Sequence, residues 1–220
     1  MIMTSQARKF ALTAHVIFSV GWLGAVAGFL ALAIAGLSGQ NPQTVRAVYL
    51  ATQVITWYVI VPLSFASLLT GLVQSLGTTW GLFRHYWVLA KLLINVLATI
   101  LLLVHTMPIG ELANIARETA LSGVAAGRLQ IQLVVDAGLA LFALLVATAL
   151  GVYKPRGLTP YGWRKQLEER AVSPPVLAPS AREPIRRSQP RWVFVTEIVA
   201  IHFVVLFVIL HLTGHGLGGH

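Results

Sequence analysis

The sequence contains no cysteine and few acidic residues or methionines. Of its 220 residues, none is Cys, 7 are Asp or Glu, and 3 are Met. The absence of cysteine excludes disulfide bonds, thiolate metal sites and covalently attached haem. Any metal site must therefore be built from His, Met and carboxylate ligands.

The sequence also lacks the motifs of common enzymes. It has no Gly-rich phosphate loop after a strand, no nucleophile elbow and no pair of carboxylates facing water. Hydrolase, kinase and dinucleotide-binding activities find no support in it. An intramembrane enzyme has no motif in its favour either, so the sequence predicts no catalytic residues.

The chain contains several long apolar runs. Of its residues, 56% are hydrophobic and only 10% are charged. A helix needs about 20 apolar residues to cross a hydrocarbon core about 30 Å thick. Five runs reach that length: Phe10–Leu37, Val48–Leu76, Tyr86–Met107, Leu129–Val152 and Trp192–Thr213. The sequence therefore predicts an all-α, polytopic membrane protein, a bundle of five transmembrane helices in a lipid bilayer.

Positive charge is placed as an orientation signal rather than as a nucleic-acid surface. The formal net charge is +9, but nine of the 16 Lys and Arg residues lie between residues 154 and 191. Lys and Arg are enriched in cytoplasmic loops of membrane proteins. We therefore expect a multi-pass protein of the cell membrane with a cytoplasmic N-terminus, an external C-terminus and no nucleic-acid partner.

Composition divides the chain into three parts. Residues 1–153 are predicted to form a four-helix transmembrane domain. Residues 154–191 hold seven of the ten prolines and the basic cluster, which predicts a cytoplasmic linker that is largely disordered after a short ordered start. Residues 192–220 are predicted to form the fifth transmembrane helix and an outer tail. The linker is a tether, or it docks on anionic lipid or a partner protein.

Small residues and prolines indicate where the helices pack and bend. Gly24 and Gly28 are four residues apart, which predicts close approach of another helix. In the second run, Ser64, Ser67 and Gly71 share a stripe predicted to face inward, and Pro62 is predicted to kink the helix. The segment Pro108–Arg128 is predicted to be an outer loop with a short surface helix.

Three ionisable residues form an inner layer within the apolar runs. His15, Lys91 and Glu197 each lie about five residues from the predicted cytoplasmic end of a run. A charged side chain in lipid costs about 2.5–3.5 kcal/mol on insertion scales, so each needs a partner or a purpose. We expect Lys91 to pair with Glu197 near His15. Alternatively, the long Lys91 side chain extends to the cytoplasmic surface.

A second polar layer is predicted near the outer surface. It contains His105, Asp136 and His211, with Met107 two residues after His105. Imidazole and carboxylate ligands suit Cu(II) or Zn(II), and two facing imidazoles, here His105 and His211, suit b-type haem. A metal would take His105, Asp136, His211 and Met107 as ligands. The alternative is that these are ordinary interfacial histidines and that no cofactor binds.

Short motifs in the first and third runs give the chain a family resemblance. His15 is followed after six residues by Trp22-Leu23-Gly24, and the third run opens Tyr86-Trp87-Val88-Leu89-Ala90-Lys91-Leu92-Leu93. These features resemble the copper resistance protein D superfamily, and bacterial predicted integral membrane proteins of unknown function that share them. The resemblance implies a helical membrane fold and allows copper export or uptake, with His15 and Lys91 as the matching positions.

Two classes of function remain open from sequence. The first is a membrane protein that binds or moves a copper-like metal ion, or that holds haem through intramembrane histidines. The second is a non-enzymatic accessory or scaffold protein without a cofactor, whose basic linker binds a partner. Either class allows a homo-oligomer or a complex with another membrane protein.

Overall fold

The computed structural model describes residues 3–77, 82–117, 124–154 and 157–172. Within these ranges the chain is helical and contains no β-strand. Four helices are long and apolar enough to cross a membrane: Ser5–Ser38, Pro42–Gly77, Tyr86–Arg117 and Ala126–Tyr153. These helices fit an integral membrane protein. The predicted fifth helix, Trp192–Thr213, lies outside the described residues.

The first helix, α1 (Ser5–Ser38), begins at a side-chain cap. The Thr4 hydroxyl accepts a hydrogen bond from the backbone N–H of Ala7, which satisfies one of the free donors of the first turn. Gly39 follows the last turn in an extended conformation. The helix begins five residues before its predicted apolar run, because the cap lies before the basic residues Arg8 and Lys9, and it ends one residue after that run.

The second long helix has three parts: α2 (Pro42–Ile55), a π-helical turn (Thr56–Ile60) and α3 (Val61–Gly77). Asn41 caps it by accepting from the N–H groups of Gln43 and Thr44, and Pro42 occupies the first turn, where no N–H is needed. The helix therefore begins six residues before the predicted run. The wide π turn ends at Ile60, two residues before Pro62, whose missing N–H interrupts the helical hydrogen bonds.

The third long helix, α4 (Tyr86–Arg117), continues through Pro108. The prediction that the membrane helix ends at Met107 and an outer loop follows is therefore wrong. Ile109, Leu112, Ala113 and Ala116 are buried beyond the proline, and their packing outweighs the hydrogen bond that Pro108 cannot donate. The fourth helix, α5 (Val124–Tyr153), likewise begins five residues before its predicted start.

The four long helices form a ring around a central space. The α1 helix packs on α3 and α5, and α4 packs on the same two helices. We call the end that carries Ser5, Gly77, Tyr86 and Tyr153 the proximal end, and the opposite end the distal end. At the distal end, the Arg117 guanidinium donates to Gln53 Oε1 at 2.7 Å and joins α4 to α2.

A tight contact between a glycine of α1 and α2 lies away from the predicted pair. A Cβ atom added at Gly24 or Gly28 would meet no described atom within 4 Å, whereas one at Gly36 would lie 2.6 Å from Tyr49 Cζ. Tyr49 is fully buried. Gly36 therefore allows the Tyr49 ring to lie directly on the α1 backbone. The inward stripe on α3 is as predicted, since Ser64 and Ser67 are buried.

The beginning of the predicted linker is folded against the proximal end. Helix α6 (Pro160–Val172) follows Thr159, whose hydroxyl accepts from the N–H of Gly162 and donates to the carbonyl of Phe83. Arg84 forms a two-bonded ion pair with Glu169, at 3.1 and 2.9 Å. This hydrogen-bonded pairing lowers the pKa of the exposed Glu169 carboxyl below its ordinary value. The predicted short ordered start therefore includes a helix of 13 residues.

Candidate functional site

An imidazole and a carboxylate meet between α4 and α5. His105 Nε2 lies 2.7 Å from Asp136 Oδ2, and both side chains are largely buried. His105 Nδ1 lies 2.6 Å from the carbonyl oxygen of Leu101, one turn earlier in α4. Two of the residues predicted for the outer layer are therefore in direct contact.

The hydrogen bonds determine where the protons of this pair lie. A backbone carbonyl only accepts, so His105 Nδ1 must carry a hydrogen. The Nε2 atom then faces the carboxylate with a single proton between them. That proton lies either on the imidazole, giving an ion pair, or on Asp136, giving a neutral pair. The His105–Asp136 pair therefore carries one exchangeable proton. Once that proton is released, the two lone pairs repel and the contact opens unless another hydrogen-bonding group takes its place.

A central chamber of about 100 Å³ lies beside this pair. All four long helices line it, and its walls are almost entirely apolar; they include Trp22 and Phe29 from α1, Ile60 from the π turn, Leu101 from α4 and Leu144 from α5. Its polar lining residues are His105, Asp136 and Thr56. The Thr56 hydroxyl donates to the carbonyl of Thr52, so it is already engaged. The chamber therefore combines apolar walls with one proton-bearing pair.

A second group of polar side chains lies nearer the proximal end. Lys91 Nζ is 3.4 Å from His15 Nε2, and His15 Nδ1 is 3.1 Å from the carbonyl oxygen of Ser67. Thr70 Oγ1 and Ser19 Oγ also approach the imidazole, at 3.2 and 3.5 Å. Lys91 therefore points into the bundle, toward His15.

The other predicted site residues do not join these groups in the described structure. Met107 is 81% exposed and borders a separate depression with Trp57 and Glu111. His211 and Glu197 lie outside the described residues. Within the described ranges, no three His, Cys, Asp or Glu residues come together in a way that could hold a metal ion.

Several residues around the two groups were not predicted as site residues. The sequence indicated that Ser67 lies on an inward stripe, but not that its carbonyl holds His15. Neither Ser19 nor Thr70 was predicted as a site residue, because a single hydroxyl in an apolar helix commonly bonds its own backbone. In the sequence, Trp22 and Phe29 do not differ from other apolar residues of the first run. The packing of the four long helices shows that both face the chamber.

Comparisons with protein families, curated proteins and solved structures found no match to this chain. They therefore do not bear on the resemblance to the copper resistance protein D superfamily. The function must be inferred from the chain's own side chains.

Proposed function

We propose that this chain is a multi-pass protein of the cell membrane that binds a lipophilic ring compound in its central chamber and exchanges a proton with it through His105 and Asp136. The ring compound carries an oxygen on its edge, as a quinone, quinol or phenol does. In this proposal the proximal end faces the cytoplasm and Trp192–Thr213 crosses the membrane as a fifth helix.

The observation that supports the proposal most strongly is the 2.7 Å contact between His105 Nε2 and Asp136 Oδ2 at a chamber with apolar walls. Desolvation of a charged pair among apolar side chains is unfavourable, so such a pair inside a membrane helix bundle indicates a functional site. A ligand oxygen beside the pair can accept the proton from it or donate one to it. The pair thereby supplies both a donor and an acceptor from a single arrangement.

The polarity of the chamber favours this class of ligand. Its volume of about 100 Å³ is below the roughly 150 Å³ of an apolar cavity that holds benzene, so a ring as large as duroquinone enters it only if the surrounding side chains move. The aromatic side chains of Trp22 and Phe29 offer surfaces for a flat ring. The surrounding helices are apolar, so a ligand that partitions into lipid reaches the chamber without crossing water.

Metal or haem binding, as the resemblance to the copper resistance protein D superfamily allows, is the second candidate. His105 and Asp136 are both metal-ligand types, and an ion could displace their shared proton. Coordination requires a free lone pair on the imidazole, however. Since Nδ1 bonds Leu101 and Nε2 faces Asp136, a metal or haem iron would first have to separate His105 from Asp136, and His211 would have to complete the site.

The test uses variants that fill the chamber. Ala140 lines the chamber one turn from Asp136, and Ala140→Leu places three further carbons in it. Ala149 is exposed on the same helix, so Ala149→Leu is the matched control. Each protein is purified in detergent and its binding of duroquinone is measured by equilibrium dialysis. Elemental analysis and visible absorption of the same preparations measure metal and haem.

The proposal predicts saturable duroquinone binding by the wild type and by Ala149→Leu, and none by Ala140→Leu, which should unfold at the same or a higher temperature. Binding that is equal in the two variants would contradict it. Stoichiometric metal or a haem spectrum that is lost in His105→Ala would favour the metal candidate. A preparation without ligand, metal or haem that co-purifies with another polypeptide would favour the scaffold function.

A further inference from the structure

The polar group nearer the proximal end, His15 with Lys91, repeats the hydrogen-bonding arrangement of the His105–Asp136 pair. In both, a histidine directs Nδ1 at a backbone carbonyl, Ser67 for His15 and Leu101 for His105. In both, Nε2 faces an ionisable side chain, which is Lys91 for His15. The carbonyl requires a hydrogen on Nδ1, so the His15 Nε2 atom carries the lone pair toward the lysine.

This arrangement leaves a single proton to be shared between two nitrogen atoms. A charged Lys91 ammonium donates to the neutral imidazole of His15. Transfer of that proton from Nζ to Nε2 gives a neutral amine and an imidazolium, with no other bond made or broken. The contact of 3.4 Å is long for a hydrogen bond, and it must shorten for transfer.

Within the described part of the chain, the groups that lie against Lys91 are neutral. From α1 it meets His15, and from α5 it meets Gly151, where an added Cβ would lie 3.0 Å from Nζ. The α3 residues Ser67 and Thr70 face the imidazole. Among the described residues, the carboxylates in ion pairs are Glu169 and Asp136, with Arg84 and His105 as their partners. In the ranges that the structure describes, the His15 imidazole is therefore the group beside Lys91 that can take its proton.

We propose that Lys91 and His15 form a second proton-exchange site, which lies on a path that carries protons across the membrane through the bundle, starting from the water at the proximal end. Lys91 lies in the second turn of α4, close to that water. The chamber-lining residue Ile94 lies less than one turn further along. This inference rests on residues other than those of the ligand site, and proton movement can be measured without any ligand.

The test measures proton flux through the full-length protein in phosphatidylcholine vesicles. A potassium gradient and valinomycin drive protons inward, and an enclosed pH-sensitive dye records them. Lys91→Arg is the informative variant, because arginine keeps the positive charge but does not release its proton. Lys154→Arg is the matched control, since Lys154 is exposed beyond the end of α5. His15→Gln removes the proton acceptor and serves where Lys91→Arg does not fold.

The proposal predicts that wild type and Lys154→Arg acidify the vesicles faster than protein-free vesicles do, and that Lys91→Arg and His15→Gln reduce the rate to that of empty vesicles. Wild-type flux no greater than that of empty vesicles would overturn it, as would equal flux in wild type and a folded Lys91→Arg or His15→Gln. Duroquinone binding, measured on the same variants, separates the two proposals. Loss of flux with binding intact supports this site, whereas absent binding with flux intact removes only the ligand proposal.

Discussion

His105 on α4 and Asp136 on α5 approach to 2.7 Å inside the helical bundle, although 30 residues separate them in the chain. The Leu101 carbonyl holds the other side of the imidazole, so the ring cannot turn away without losing a hydrogen bond. The pair therefore joins two helices and at the same time provides the proton-bearing group of the chamber.

Replacing one member of the His105–Asp136 pair should lower the free energy of unfolding more per residue replaced than replacing both. His105→Leu or Asp136→Leu leaves one buried polar group without its partner, and each should destabilise the protein by about 3–5 kcal/mol. The double variant leaves no such group and should recover part of the loss. The free energies come from reversible unfolding in mixed detergent micelles. Additive losses in the double variant would mean that the two side chains do not interact.

The contact between Gly36 and Tyr49 gives a packing prediction with an internal control. Gly36→Ala places a Cβ 2.6 Å from Tyr49 Cζ, and the required shift of a fully buried ring should cost about 1–3 kcal/mol. Gly28→Ala meets no described atom within 4 Å and should be neutral or stabilising, by up to about 1 kcal/mol. Thermal unfolding of the two variants checks this. A greater loss for Gly28→Ala would show that position 28 is the close contact.

Acid should weaken the contact between α6 and the proximal end. Because the Arg84 pairing lowers the pKa of Glu169 in the folded protein, its contribution is present above the unfolded pKa and is lost as pH falls through the folded pKa. Glu169 is exposed, so the effect is small and salt-sensitive. At neutral pH, hydrogen exchange in α6 should be slower in wild type than in Glu169→Gln, and at acidic pH the difference should vanish. A difference that persists in acid would exclude the ion pair as its cause.

The predicted orientation and fifth crossing can be tested with reporter fusions. Fusions after Ser38 and Gly214 should report the external side, and a fusion after Pro179 should report the cytoplasm, because Lys and Arg are enriched on the cytoplasmic side. A reporter active only in the cytoplasm measures each position. Cytoplasmic signals after both Pro179 and Gly214 would rule out the fifth helix, whereas reversed signals at all three positions would reverse the orientation.

Much of the described fold could be predicted from the sequence, because the apolar runs are long and hydropathy alone identifies them. Their ends could not be predicted as well. The Asn41 cap and Pro42 begin a helix before its apolar run. Pro108 lies inside α4 because the residues after it are buried, and hydropathy does not separate such buried residues from those of an apolar loop. For the linker, the basic, proline-rich composition predicted only a short ordered start. It did not predict helix α6, which local capping by Thr159 and the Arg84–Glu169 ion pair hold in place.

For the site, the depth of a residue along its helix was a better guide than the direction in which its side chain was expected to point. Equal depth suggested that His105 could meet Asp136, and helical spacing agreed. Equal depth also suggested Lys91 with Glu197, and that pair stays a prediction because Glu197 lies outside the described residues. Lys91 contacts His15, which the sequence placed only nearby. The chamber itself could not be predicted, since it depends on how four helices leave space between them.

Asp136 is the only aspartate in the chain, so ¹³C-aspartate labelling reports on a single carboxyl group. The account predicts that saturating duroquinone shifts the Asp136 carboxyl ¹³C resonance in wild type and in Ala149→Leu. The same addition should leave the resonance unchanged in Ala140→Leu, where the chamber is filled. A wild-type resonance that does not move at saturating duroquinone would contradict proton exchange between this pair and a ligand in the chamber.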